Sequence, residues 1–187
     1  MGTLSRNAKS RSALVIVDVI NPLDFPGAQG LLRQALPAAR RLARLRARLA
    51  RNGVPVVFVN DNFTHWLEDF NQLVAICSQP DMLGAPLVEA LQPGPSDYNI
   101  LKPQHSAFYN TPLEVLLSQL DVGRVLLAGI ATDQCVLASA IDARMRQLDV
   151  VVVSDGSAAQ TAARHRNALA VLRNLGVGVQ ACASIRA

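Results

Sequence analysis

Two kinds of stretch alternate along this chain. Short runs are apolar almost throughout: Ala13 to Val19 (ALVIVDV), Val54 to Asn60 (VPVVFVN), Tyr98 to Leu101, Arg124 to Ala128, Val150 to Ser154 and Val177 to Cys182. Their length and their Val, Ile and Leu content predict six strands buried on both faces. The longer stretches between them carry apolar residues at helical spacing. They predict helices over 30–52, 64–75, 84–91, 111–120, 133–148 and 161–175. Gly53 and Gly176 stand where the first and last of these should stop. Thr111, Pro112 and Glu114 supply a start for the fourth, as cap, first helical residue and capping-box partner.

Strands separated by helices predict a single three-layer, Rossmann-like α/β domain with a mostly parallel six-stranded sheet flanked by helices. The domain should cover 12–187, with residues 1–11 a flexible tail and 76–97 a Pro- and Gly-rich surface excursion. Open parallel sheets bind ligands at the carboxyl ends of their strands. The residues that matter for function are therefore Asp18, Asn60, Asp61, Lys102, the segment Gly129 to Cys135, and Asp155.

Composition narrows the picture. Half of the 187 residues are hydrophobic and 4% are aromatic, so the core must be Val, Leu, Ile and Ala. No apolar run reaches the roughly 18 residues of a membrane-crossing helix. The polar N-terminal stretch lacks the apolar segment of a secretory signal. Cys77, Cys135 and Cys182 form no C-x-x-C pair. That spacing argues against a disulfide framework or a thiolate zinc site and for a reducing, cytoplasmic setting.

Charge is uneven. Residues 1–51 carry ten basic groups against Asp18 and Asp24, and seven of the ten lie between Arg33 and Arg51. A nucleic-acid-binding helix is one reading. The other is a solvated face opposite an apolar stripe of Leu32, Leu36, Ala39, Leu42, Ala43 and Leu49, with Arg40, Arg44, Arg48 and Arg51 outward. No aromatic or Gly-rich recognition element accompanies the arginines, so neither nucleic acid nor membrane is expected as a partner. Of 18 basic residues only Lys9 and Lys102 are lysine. Lys102 is then the one lysine of the folded region, at a strand end, where a compact ammonium of tunable pKa suits chemistry.

Asp18 follows an apolar strand, where an ionised carboxylate needs a partner. Cys135 falls where a strand turns into a helix (GIATDQCV, 129–136), with Thr132 or Asp133 as cap. The helix dipole and unpaired N–H groups there would favour a thiolate and could hold an oxyanion. Acid, ammonium and thiol at three strand ends can converge as proton acceptor, cation and nucleophile. Attack on an amide carbonyl would give a thioester that water then cleaves. Cys77 and Cys182 read as packing residues.

Three segments carry a family resemblance: ALVIVDVINPLDFPG (13–27), ILKPQHSAFYNTPLEVLL (100–117) and VLLAGIATDQCVLASAIDA (125–143). The chain resembles the isochorismatase-like cysteine hydrolases, which include nicotinamidases and N-carbamoyl amidases. The resemblance implies catalytic Asp18, Lys102 and Cys135. It also implies a cis Ile130–Ala131 peptide that aims the N–H groups of Ala131 and Cys135 at an oxyanion. A homo-oligomer, dimer or tetramer, is implied as well. Nicotinamidases carry an Asp-x-His metal pair, whereas Asp61 here is followed by Phe63, with His65, His105 and His165 elsewhere. One carboxylate and one imidazole make a poor zinc site, so no metal and no cofactor are expected. His65 and His105 read as solvent-exposed loop residues. Isochorismatase-type cleavage of a vinyl ether needs a proton donor rather than a nucleophile, and members of that branch lack the cysteine. Cys135 thus favours amide-type hydrolysis of a small molecule, with vinyl ether hydrolysis or a catalytically idle domain as alternatives. Phe25, Asn62, Phe63, Trp66 and Phe108 are expected to line the pocket, which suits a small, neutral or weakly polar substrate.

Overall fold

Alternate residues of the strands divide between two cores. In the computed structural model, which describes residues 11–63 and 66–186, Leu14, Ile16, Val56, Phe58, Leu126 and Ala128 pack on one side of the sheet. Ala13, Val15, Val17, Val57, Val59, Val125 and Leu127 pack on the other. Both sides of the sheet are covered, so its strands are apolar at nearly every position.

The strands are β1 (Arg11–Val17), β2 (Val56–Asp61), β3 (Tyr98–Lys102), β4 (Val122–Ile130), β5 (Asp149–Ala158) and β6 (Gly178–Gln180). They form one six-stranded sheet in the order β3-β2-β1-β4-β5-β6, and every pairing is parallel. The first core is closed by α1 (Ala28–Arg51), α2 (Phe70–Cys77) and α3 (Ala85–Ala90). The second is closed by α4 (Leu113–Gln119), α5 (Leu137–Met145) and α6 (Ala162–Asn174). The three-layer α/β expectation holds. Strand order reverses at β1 and β4, where ligands sit in sheets of this kind.

Several boundaries differ from the sequence expectation. Residues 1–10 of the expected tail lie outside the described residues, and Arg11 already pairs with Val122. The helix expected over 64–75 runs from Phe70 to Cys77, because Asp69 and Gln72 form a reciprocal capping box. Val150 to Ser154 continues as strand to Ala158, since Gly129 and Ile130 of the lengthened β4 pair with Ser157 and Ala158. The expected helix 133–148 is a π-helical turn (Thr132–Val136) followed by α5. Pro112 occupies the cap position of α4 rather than its first turn.

On α1 the buried stripe is Leu31, Ala35, Ala38, Ala39, Leu42, Leu45 and Leu49, while Leu32, Leu36 and Ala43 are only partly buried. Two of the α1 arginines are structural. Arg46 pairs with Asp97 and lies 5.6 Å over the Phe58 ring, and Arg48 donates to the carbonyls of Cys182 and Ile185. Among the described residues, no helix is long and apolar enough to cross a membrane.

Candidate active site

Three neighbouring strand ends build one charged cluster. Lys102 closes β3 in register with Asp61, which closes β2. Asp18 follows β1 with a positive φ of 54°, while its N–H still donates to Val59 O (3.1 Å). Aspartate tolerates this left-handed turn better than most residues. The Asp61 N–H then donates to Asp18 Oδ1 at 2.7 Å. Lys102, wholly buried, reaches across β2 and sets its Nζ 2.9 Å from Asp18 Oδ2 and 3.5 Å from Asp61 Oδ2. It also donates to Gln104 O at 3.0 Å. Buried charges persist only when paired and hydrogen-bonded, and these are both.

Cys135 approaches from β4. Gly129 passes so close to β1 that a Cβ there would lie 2.1 Å from Val17 O, and its φ of +124° also demands glycine. The Ile130–Ala131 peptide is cis. Ala131 O then accepts from both Gln134 N (3.0 Å) and Val136 N (3.2 Å) as the chain enters the π-helical turn. Such turns are frequent at functional sites. Neither Thr132 nor Asp133 caps it. Thr132 Oγ1 instead hydrogen-bonds His165 Nδ1 (2.8 Å), and Asp133 pairs with Arg164 (2.5 Å). Cys135 is 8% exposed. Its Sγ lies 3.7 Å from Lys102 Nζ and 3.5 Å from His105 Nδ1, and the Asp18 carboxylate is near enough to act on its charge.

The electrostatics correct one expectation. Burial first, and then the charge of Asp18, push the Cys135 thiol well above its ordinary range, and Lys102 offsets only part of this. The direction of this shift runs against the expected thiolate. Burial also raises Asp18, against the pull of Lys102. For Lys102 burial opposes the ammonium, but Asp18, Cys135 and Asp61 together outweigh it and raise the pKa.

Comparison with known proteins gives the family. The isochorismatase domain profile matches residues 12–184. The chain belongs to the isochorismatase family. It is 30% identical over 168 residues to the isochorismatase family protein YaaI of Bacillus subtilis, covering 90% of this chain and 92% of that one. It is 31% identical to the ureidoacrylate amidohydrolase RutB of Methylobacterium radiotolerans, covering 84% of this chain and 71% of that one. Its structure resembles the N-carbamoylsarcosine amidase of Thermoplasma acidophilum with a TM-score of 0.72 at 26% identity, over 95% and 99% of the two chains.

In this family member Lys102 and His105 also line a cavity of about 700 Å³, whose wall includes Asn62, Trp66, Tyr109 and Asp142 but neither Asp18 nor Cys135. Asn62 and Trp66 line this cavity, and Trp66 is 74% exposed. The other three expected lining residues do not reach this cavity. Phe108 is buried beneath Arg146, whose guanidinium lies 5.1 Å from its ring. Phe63 packs against the first core, and Phe25 is an exposed residue just before α1. Phe108 is drawn inward because its segment is fastened to α5. Ser106 Oγ donates to Asp142 Oδ2 (2.6 Å), and Ala107 N donates to Ser139 Oγ (2.8 Å), which in turn donates to Cys135 O (2.6 Å).

Asn60 and Asp155 are structural. Asn60 Nδ2 donates to Ile20 O (2.6 Å), and Asp155 accepts from Cys182 N (2.7 Å). Asp61 does not fit a metal site. Its carboxylate is held by Lys102 and accepts from Phe63 N (2.7 Å), and the residue two positions on offers no ligand atom. His65 lies outside the described residues, among which no cluster of three or more His, Cys, Asp or Glu could hold a metal. The residue that sequence reasoning set aside is His105. Its place three residues after Lys102 was the only signal, since loop spacing does not tell which way a ring turns.

Proposed function

We propose that this protein is a cysteine hydrolase that cleaves a small amide or related C–N bond through a thioester on Cys135, with Asp18 and Lys102 as partners. The observation that carries this reading is the position of Lys102 Nζ, 2.9 Å from Asp18 Oδ2 and 3.7 Å from Cys135 Sγ. The thiol rests protonated beside a carboxylate, so the carboxylate accepts its proton as sulfur attacks the substrate carbonyl. The Lys102 ammonium remains close to both groups and steadies the negative charge as it moves from oxygen to sulfur. The Ala131 and Cys135 N–H groups are assigned to the carbonyl oxygen, in keeping with the backbone turn that joins them. Loss of the amine leaves the thioester, and water releases the acid.

The names of two relatives, an amidohydrolase and an amidase, support amide-type chemistry. The cavity wall offers carboxamides and aromatic rings, from Asn62, Gln104, Asn110, Trp66 and Tyr109, beside the charged or polar Glu68, Lys102, His105 and Asp142, which suits a small polar substrate.

The test is intact-mass analysis of wild type and Cys135→Ala after incubation with a panel of small amides and carbamoyl compounds. A covalent acyl adduct confined to wild type is expected, and its mass names the acyl group. Substrate turnover by Cys135→Ala at the wild-type rate would overturn the reading.

A further inference from the structure

The Cys135 sulfur has a neighbour that the three charged partners leave unused. His105 Nδ1 lies 3.5 Å from Sγ, and the same side chain is part of the cavity wall. Its backbone is fixed on both sides. Gln104 O accepts from Lys102 Nζ (3.0 Å), and Ser106 Oγ is bonded to Asp142 (2.6 Å). Asp18 is placed differently. It is buried, its Oδ1 takes the Asp61 N–H and its Oδ2 takes the Lys102 ammonium. Like Cys135, it is not among the residues of the cavity wall, whereas His105 and Lys102 are. A substrate carbonyl that reaches this sulfur from the cavity passes His105 and Lys102, so its leaving nitrogen departs beside them. Of these two, the group whose chemistry is both to give and to take a proton in catalysis is the imidazole, 3.5 Å from the sulfur.

We propose that His105 is a second catalytic acid–base, which protonates the leaving nitrogen and then deprotonates the hydrolytic water. The inference rests on the thioester reading above. In the first half, the S–H proton passes to Asp18, the S–C bond forms, imidazolium gives its proton to nitrogen, and the C–N bond breaks. In the second, water attacks the thioester carbon and gives its proton to neutral His105. The C–S bond then breaks, and sulfur recovers its proton from Asp18. Both residues return to their starting states, and the sum is amide plus water to acid plus amine.

The test offers the acyl group identified by intact mass in two forms, a p-nitroanilide and a p-nitrophenyl ester. Nitrophenolate leaves without a proton, whereas the anilide nitrogen must be protonated. Pre-steady-state release is measured for wild type, His105→Gln and His105→Asn. The expected result is acylation by the anilide slowed by about 100-fold or more, with acylation by the ester within about five-fold of wild type. The ester reaction also reports that each variant is folded. Equal slowing of both substrates, or slowing of neither, would overturn the role of His105 while leaving the thioester intact. A wild-type protein that forms no adduct with any compound would overturn the thioester reading, and this inference with it.

Discussion

One proton can rest on either of two atoms here, the Asp18 carboxylate or the Cys135 sulfur. Burial is the largest influence on both and favours the neutral form of each, while Lys102 favours the charged form of each. The Asp18 charge adds to the cost of a thiolate, so the sulfur keeps the proton until substrate arrives. Asp18→Asn removes that charge but keeps the shape, and leaves Lys102 beside the sulfur. Two consequences of opposite sign are expected. Alkylation of Cys135 by iodoacetamide at neutral pH should quicken, because the thiol pKa falls. Amide hydrolysis should slow by about 10²- to 10⁴-fold, because the proton acceptor is gone. Peptide mass mapping, with Cys77 and Cys182 as internal references, reads the first, and a turnover assay reads the second. If both rates fall together, Asp18 shapes the pocket rather than accepting a proton. Among single residues, the sequence made Lys102 legible because lysine is so rare in this chain, and Asp18 because it ends an apolar strand. It hid Phe108, since nothing in the spacing of S-A-F tells that Ser139 and Asp142 pull that turn onto α5.

The junction of β1 and β4 decides whether those residues can meet at all. Gly129 lets the two strands close at their carboxyl ends, one residue before Asp18 on one side and six before Cys135 on the other. A methyl group at this position would overlap Val17 backbone, which has no room to retreat within a paired strand. Gly129→Ala is therefore expected to destabilise the protein by more than about 4 kcal/mol, in the exceptional range for a point change. Gly53→Ala is the matched comparison. It has a positive φ of +73° but nothing within 4 Å of its would-be Cβ, so only the backbone penalty of about 1–2 kcal/mol applies. Urea unfolding of the two variants separates the cases, and similar midpoints would mean that the strands yield to the methyl. At this scale the apolar runs made the strands legible, since burial on both faces leaves an uninterrupted signature. The β5 extension escaped notice because Ser154, Asp155, Gly156 and Ser157 look like a loop. Two of their side chains find partners, with Ser157 Oγ donating to Val153 O (2.9 Å) and Asp155 accepting from Cys182 N (2.7 Å).

Taken over the whole molecule, burial of thiols ties stability to alkaline pH. All three cysteines are buried and unbridged. Burial, helped by Asp24, pushes Cys77 from 9.0 up to about 12, and burial, helped by Asp155, pushes Cys182 equally far. Cys135 is raised further still, by burial and then Asp18. Each folded thiol therefore keeps a proton that the unfolded chain gives up above pH 9. Unfolding releases protons in that range, and stability falls as pH rises. The loss begins near pH 9.0, where an ordinary thiol ionises, and continues to about pH 12 for Cys77 and Cys182. Each thiol contributes at most about 1.4 kcal/mol per pH unit, so the three together set a ceiling of roughly 4 kcal/mol per unit. Lys102 acts in the same direction at higher pH. Its ammonium is held above the ordinary 10.5, so its contribution is full below that value and fades beyond it. The raised pKa of Asp18 has the same sign and acts upward from 3.8. The melting temperature of wild type is thus expected to fall more steeply between pH 8 and pH 11 than that of a variant carrying Cys77→Ala, Cys135→Ala and Cys182→Ala. The variant starts lower, because three side chains leave the cores, but its slope should be shallower. Parallel curves would mean that the thiols ionise alike in the folded and unfolded chains. Burial would then not be what holds the proton on Cys135.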